Sequence, residues 1–132
     1  MAINLVRSDS LYKGAPYAYA AIAPRGSLIF TAGACPVDDR GEVVGVGDVR
    51  AQASLAVANL ATALAESGAT LADVLKTTVF VASADRADLD AAWDVVHEAF
   101  GDYDPPSTLL GVTVLGYPGQ LVEIEAVAVA AG

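Results

Sequence analysis

The chain has 132 residues, 55% of them hydrophobic and 17% charged, and a formal net charge of −9 from 16 acidic and 7 basic side chains. That length suits one domain, 1–132, and so apolar a composition excludes disorder and points to burial against other subunits as well as within the chain. The basic residues Arg7, Lys13, Arg25, Arg40, Arg50, Lys76 and Arg86 are scattered singly, so nucleic-acid binding is disfavoured, and no apolar run approaches the ~20 residues that cross a bilayer.

Residues 18–23 and 27–32 are short apolar runs on either side of Pro24-Arg25-Gly26, which predicts a hairpin with glycine in its turn and leaves room for a short strand nearer the N-terminus. Residues 36–47 read as a loop broken by Gly41, Gly45 and Gly47. Asp48 is placed to cap a helix running to about Ser67. Ala53, Ala56, Val57, Leu60, Ala63 and Leu64 recur there at helical spacing, and Gly68 stands where a C-cap belongs. Gly45-Val46-Gly47-Asp48 lacks the further glycine and the lysine of a nucleotide-binding loop and reads as a turn. A β-branched strand follows over 74–81, then a helix over about 86–100 with Leu89, Trp93, Val96 and Phe100 along one stripe. Asp104-Pro105-Pro106 breaks the chain before strands at 107–114 and 120–130. The order predicts an α+β layer arrangement, a mixed sheet of about six strands with two helices on one face. No internal repeat, low-complexity tract or linker interrupts it.

The final strand carries the most information. Val122, Ile124, Ala126, Ala128 and Ala130 share one face, an unbroken core face; Leu121, Glu123, Glu125, Val127 and Val129 share the other. A carboxylate in such partly apolar surroundings has its charged form disfavoured, which suits it to activating a water or moving a proton. The plain alternative is that this half of the face meets solvent. The single cysteine, Cys35, excludes an intrachain disulfide. The opening residues lack the order of a signal peptide, and a cytoplasmic protein is expected. His97 has neither a cysteine nor a second histidine beside it for a metal site, and Ser107, His97 and Asp94 have no spacing that argues for a triad.

Four stretches carry a resemblance: Gly14-Ala15-Pro16-Tyr17; Phe30-Thr31-Ala32-Gly33 with Pro36; Lys76-Thr77-Thr78-Val79-Phe80-Val81; and Glu123-Ile124-Glu125-Ala126-Val127-Ala128-Val129. In this order they resemble the RidA/YjgF family of imine and enamine deaminases, over nearly the whole chain. The resemblance implies a homotrimer of chorismate-mutase-like α+β subunits, cofactor-free and metal-free, with small-molecule clefts between adjacent subunits. In that family the first glutamate of the last strand positions the attacking water, and here it is Glu123. A tyrosine and a backbone glycine close the cleft from the neighbouring subunit, and they fall on Tyr17 and Gly33. The arginine that grips the substrate carboxylate falls on Ser107, and the cysteine that often follows it two residues later falls on Leu109. The turn Gly116-Tyr117-Pro118-Gly119 is one residue longer than the family's, which places Tyr117 at an altered lip.

A serine reproduces neither the charge nor the two parallel bonds of a guanidinium, so a standard 2-imino acid is not the expected substrate. Ser107 and Thr108 offer hydroxyls to a ligand or are ordinary strand residues; Tyr17 lines the cleft or is a core tyrosine with its hydroxyl outside. Tyr19 would crowd the same mouth. Cys35 is close to the cleft, as a reactive thiol or as a small buried hydrophobe. Lys13 is a replacement cation or a solvated one, and Glu125 makes a structural bond. The expected activity is hydrolysis of an imine, an enamine or a related small molecule, with Glu123 activating water and backbone amides near Gly33 and Thr108 orienting the ligand. The alternative is a non-catalytic small-molecule-binding module of the same fold. An endoribonuclease is disfavoured by the charge.

Overall fold

Capping and apolar spacing fix the two helices where the sequence places them. In the computed structural model, which describes residues 2–130, α1 runs Val49–Glu66 and α2 runs Arg86–Phe100; residues 1, 131 and 132 of the expected domain lie outside the described residues. Asp48 caps α1 by accepting from the Ala51 amide at 3.0 Å, and Asp85 caps α2 by accepting from the Ala87 amide at 2.9 Å, each satisfying a donor that the helix itself cannot. Past the end of α1, Gly68 takes φ +87°, a left-handed conformation that a side chain would strain.

The strands are β1 Asn4–Val6, β2 Ala20–Ile22, β3 Leu28–Phe30, β4 Val74–Val81, β5 Ser107–Gly111 and β6 Val122–Val129. The α+β class stands: the described residues hold six strands and two α-helices. The strands divide between two sheets, β1-β2 and β3-β6-β4-β5. In the larger sheet only β4 and β5 are parallel, joined by the α2 crossover.

The hairpin predicted around Pro24-Arg25-Gly26 does not form. β2 pairs with β1, Leu5 opposite Ala21, whereas β3 pairs with β6, Ile29 opposite Ala128. Gly26 instead carries the chain between the two sheets, against Val129. A Cβ there would lie 2.8 Å from its methyl group. A local turn signal has yielded to two non-local ladders.

The helices cover one face of the four-stranded sheet. Val74, Val79 and Val81 of β4 and Val122, Ile124, Ala126 and Ala128 of β6 form one buried cluster with Ala53, Ala56, Leu60 and Leu64 of α1 and Ala92, Val96 and Phe100 of α2. The alanines let α1 approach the sheet closely. The other face stays open: Lys76, Thr78 and Phe80 alternate with the buried positions of β4, and Glu123, Glu125 and Val127 do so on β6. Leu28, Phe30 and Leu110 are exposed on this open face, Phe30 by 71%.

Of the buried polar side chains, Gln52 is the most enclosed and is fully used. Gln52 of α1 is 0% exposed. Its Nε2 donates to Gly45 O at 3.1 Å and Gly119 O at 3.0 Å, and its Oε1 accepts from the Leu121 amide at 2.6 Å. It thereby ties two loops to the start of β6. Gln52→Ala leaves Gly119 O and the Leu121 amide without a partner, takes one of two donors from Gly45 O, and opens a void, so it should destabilise the fold by about 3 kcal/mol. Urea unfolding monitored by Trp93 fluorescence checks this, and a change within error of zero would mean that water replaces the amide fully.

Candidate functional site

Alternation along β6 sends Glu123 to the open face, and the segment after β3 runs beside it. Ala34 and Ile124 exchange backbone bonds, N to O at 2.7 Å and 3.1 Å, and the Thr31 amide donates to Ala126 O at 3.0 Å. These bonds lay Gly33 directly against the Glu123 side chain, where a Cβ would sit 2.1 Å from Oε2. No heavy atom fits at that distance, so any side chain at position 33 would push the Glu123 carboxylate out of this position; glycine here lets the carboxylate lie against the backbone.

Oε1 of Glu123 accepts from the Cys35 thiol at 3.2 Å and from Gln120 Nε2 at 3.2 Å. Gln120 is 4% exposed and is itself fixed, donating to Val122 O at 3.0 Å and accepting from the Tyr117 amide at 3.1 Å. Asn59 of α1 holds the other wall by donating to Cys35 O at 2.8 Å and Val37 O at 3.1 Å. Among the described residues no donor reaches Oε2. The carboxylate is held by one oxygen and leaves the second available, the arrangement a base needs towards a water or ligand.

Burial, and next the hydrogen bond to Glu123, push the Cys35 thiol up from 9.0 to about 11. At neutral pH Cys35 is a neutral donor to the carboxylate and not a thiolate nucleophile.

Tyr17, Ser107, Thr108 and Leu109 meet elsewhere. With Pro16, Asp90 and Trp93 they line an open groove of about 460 Å³ at the outer edge of β5. Tyr17 stands edge-on to Trp93, centroids 6.4 Å apart, and to Tyr19 at 5.8 Å. Tyr19 donates to Tyr12 O at 2.6 Å and so folds back on its own segment. Trp93 stacks on His97, which bonds Asp104 at 3.0 Å; Asp104 also pairs with Arg7 at 2.9 Å. Ser107 Oγ bonds Thr77 Oγ1 at 2.5 Å, so its side chain lies on the helix-covered face with Thr77. Thr108 turns to the open face, where its hydroxyl accepts from Lys76 Nζ at 2.6 Å.

The sequence-predicted residues therefore fall into two groups. Glu123, Gly33 and Cys35 form one, with Tyr117 contributing its backbone amide. Tyr17, Ser107, Thr108 and Leu109 form the other, with Tyr19 packed behind Tyr17. The resemblance paired Tyr17 with Gly33; within the chain, Tyr17 lies with Ser107 and Gly33 with Glu123. Ser107 and Glu123 point to opposite faces of the sheet, two strands apart. No triad forms: His97 bonds Asp104, Asp94 lies 3.6 Å from Arg50, and Ser107 bonds Thr77. Among the described residues no group of three His, Cys, Asp or Glu is placed to hold a metal ion, and no helix is long and apolar enough to cross a membrane.

Sequence reasoning missed Gln52, Asn59, Gln120, Asp90 and the role of Trp93 as a groove wall. For the first two a signal existed: Gln52 and Asn59 are amides seven residues apart, beside the apolar stripe of α1.

Two helices over one face of a four-stranded sheet, with the other face open and a carboxylate at its rim, define a layered α+β fold. A sequence profile of the family described as Endoribonuclease L-PSP matches residues 8–130. The chain is 36% identical over 104 residues to a RutC family protein of Pyrococcus abyssi, covering 78% of this chain and 79% of that one. It is 32% identical over 114 residues to the 3-aminoacrylate deaminase RutC of Acinetobacter baylyi, covering 86% of each. The solved structure of YyfB, a Rid family protein of Yersinia pestis, superposes with a TM-score of 0.90 at 30% identity over 98% of this chain and 99% of that one. The chain belongs to the RidA/YjgF family.

The thiol gives a direct check of the carboxylate site. The folded protein holds the Cys35 proton more tightly than the unfolded chain does. This contribution to stability is therefore complete below pH 9.0 and is lost as pH rises towards about 11. Iodoacetamide labelling of folded protein should rise with a midpoint near pH 11, and Glu123→Gln should lower that midpoint by removing a negative neighbour. A wild-type midpoint at the ordinary cysteine value would mean that the thiol does not lie against Glu123.

Proposed function

We propose that this protein is a cofactor-free hydrolase of a small imine or enamine, with Glu123 as the base. The observation that carries the reading is the half-held carboxylate: Oε1 fixed by Cys35 and Gln120, Oε2 free beside Gly33. A water hydrogen-bonded to Oε2 adds through its oxygen to the imine carbon while Glu123 takes its proton. The C=N electron pair moves to nitrogen, which is protonated. The C–N bond then breaks, ammonia leaves, the carbonyl forms, and Glu123 is restored. The net change is one imine plus one water to one carbonyl compound plus one ammonia. The deaminase activity named for the Acinetobacter relative supports the reaction class.

Because Ser107 and Glu123 face opposite sides of one sheet, a ligand that touches both groups needs two copies of the chain. We place the cleft between subunits of a homotrimer, the Tyr17–Ser107 groove of one copy meeting the Gly33–Glu123 site of the next. The exposed Leu28, Phe30 and Leu110 of the open face support such an assembly, since an apolar sheet face of this kind is rarely left to solvent.

Ser107 favours a second reading, a binding module of the same fold that takes a small molecule without turning it over. An endoribonuclease would have to bind a polyanion. A charge of −9, with six of the seven basic side chains exposed and far apart in sequence, argues against it.

The test generates imines in situ, with an amino acid oxidase for 2-iminobutanoate and an amine oxidase for carboxylate-free imines, and follows their loss against a buffer blank. Acceleration by the wild type that falls about a hundredfold or more in Glu123→Gln, with the assembly intact, is the expected result. Turnover unchanged in Glu123→Gln would move the chemistry elsewhere. No turnover of any imine would leave the binding module. Sedimentation should return about three times the 13.4 kDa chain mass, and a monomer would undo the shared cleft.

A further inference from the structure

The groove that holds Ser107 is not merely short of a guanidinium. No lysine or arginine lines it, and a carboxylate does: Asp90, on the first half of α2. Among the described residues the ion pairs are Arg7–Asp104, Arg50–Asp94 and His97–Asp104, so Asp90 takes part in none. Trp93 follows it by three residues, one turn along the same helix side, which sets an indole beside the carboxylate. Tyr17 faces the indole edge-on from the N-terminal segment, with its ring plane at 90° to it. Aromatic faces attract cations and a free carboxylate pairs with them; His97 stacks on one face of the indole, so at most the other face, with Asp90 beside it, is offered to positive charge.

The floor of the groove is the free edge of β5, which pairs on one side only. Pro106 O accepts from the Thr77 amide at 3.0 Å and the Val112 amide donates to Val81 O at 2.8 Å, so even-numbered positions turn their backbone groups to β4. By the two-residue period, the N–H and C=O of Ser107 and Leu109 point outward along the groove. They supply a neutral donor and acceptor row beneath the charged wall. The cations nearest the groove do not line it: Lys76 lies on the opposite sheet face from α2, tied to the Thr108 hydroxyl at 2.6 Å, Arg7 is paired with Asp104 at 2.9 Å, and Lys13 lies with Arg7 in a separate cavity on the far side of Tyr17.

We propose that this groove selects its ligand by a protonated amino group rather than by a carboxylate, with Asp90 and the Trp93 indole receiving the charge and the β5 edge reading the neutral part. The substrate class is then an imine or enamine that carries a second, cationic nitrogen, such as one derived from a short diamine. The class of reaction that supplies it is oxidation of one amino group of such a diamine. The inference rests on the deaminase reading for turnover, but the binding step stands without it.

Binding therefore makes the test, with the intact protein and stable probes: 1,3-diaminopropane and propylamine against propionate and 2-oxobutanoate, followed by ligand-observed NMR and calorimetry at low and high salt. The amines should bind more tightly than the carboxylates and lose affinity with salt. Asp90→Asn, on an exposed helix surface, should weaken the amines about fivefold while leaving the melting temperature unchanged. Ser107→Arg should reverse the preference. Carboxylates binding as well as amines, amines binding equally to Asp90→Asn, or no binding of either class would each overturn the proposal. Amine binding without hydrolysis of the diamine-derived imine would keep this inference and defeat the deaminase reading.

Discussion

Glu123 stays where it is because three amide side chains and one missing side chain leave it no alternative. Gln52 fixes the chain at Leu121, two residues upstream, by bonding its amide while holding the carbonyls of Gly45 and Gly119. Gln120 spans from the Tyr117 amide to the carboxylate, and Asn59 fixes the segment that bears Cys35. Each amide is buried or half-buried and pairs with backbone, so each contributes most by the penalty its loss would impose. Gly33 then removes the only obstruction on the remaining side. A carboxylate with one oxygen committed and one free is a consequence of this arrangement.

The sheet that carries this cage also divides the site. Strand alternation puts Glu123 on the open face and Ser107 under the helices, and that division cannot be relaxed without shifting register, which would carry the whole buried set of β6 to the wrong side. The same alternation leaves Phe30, Leu28 and Leu110 in solvent. One geometric fact thus separates the two groups of residues and exposes an apolar surface, and in the proposed trimer a single association would cover the surface and bring the two groups together.

What was legible in the sequence was what is set locally. Asp48 and Asp85 cap their helices, Gly68 ends the first, and the alternation from Val122 to Val129 predicts the buried face. The Lys76-Thr77-Thr78 and Glu123-Ile124-Glu125 stretches were specific enough to name the family. The hairpin failed because Pro24-Arg25-Gly26 describes only the connection, whereas the pairing of β2 with β1 and of β3 with β6 depends on partners about sixteen and a hundred residues away in the chain. Gln120 was hidden for a related reason. On the strand pattern it is merely the polar residue before an apolar run, and its meaning comes from Tyr117, Cys35 and Glu123 gathering around it. Tyr17 and Gly33 were recognised singly, but their grouping is a property of the sheet's two faces.

On the proposed reading, the groove at Ser107 selects its ligand in a direction that follows from desolvation. A carboxylate entering a groove without a cation gives up its hydration and gains only neutral donors in return, while Asp90 repels it. Rejection of this kind needs no steric clash, because the unpaired charge itself supplies the cost. An ammonium entering the same groove meets a free carboxylate and two aromatic rings, and its non-ionic portion can lie along the unpaired edge of β5. On the proposed reading Glu123 requires only an electrophilic carbon within reach of a bound water. The catalytic half of the site would then be indifferent to the residue at position 107, and the recognition half free to diverge around it.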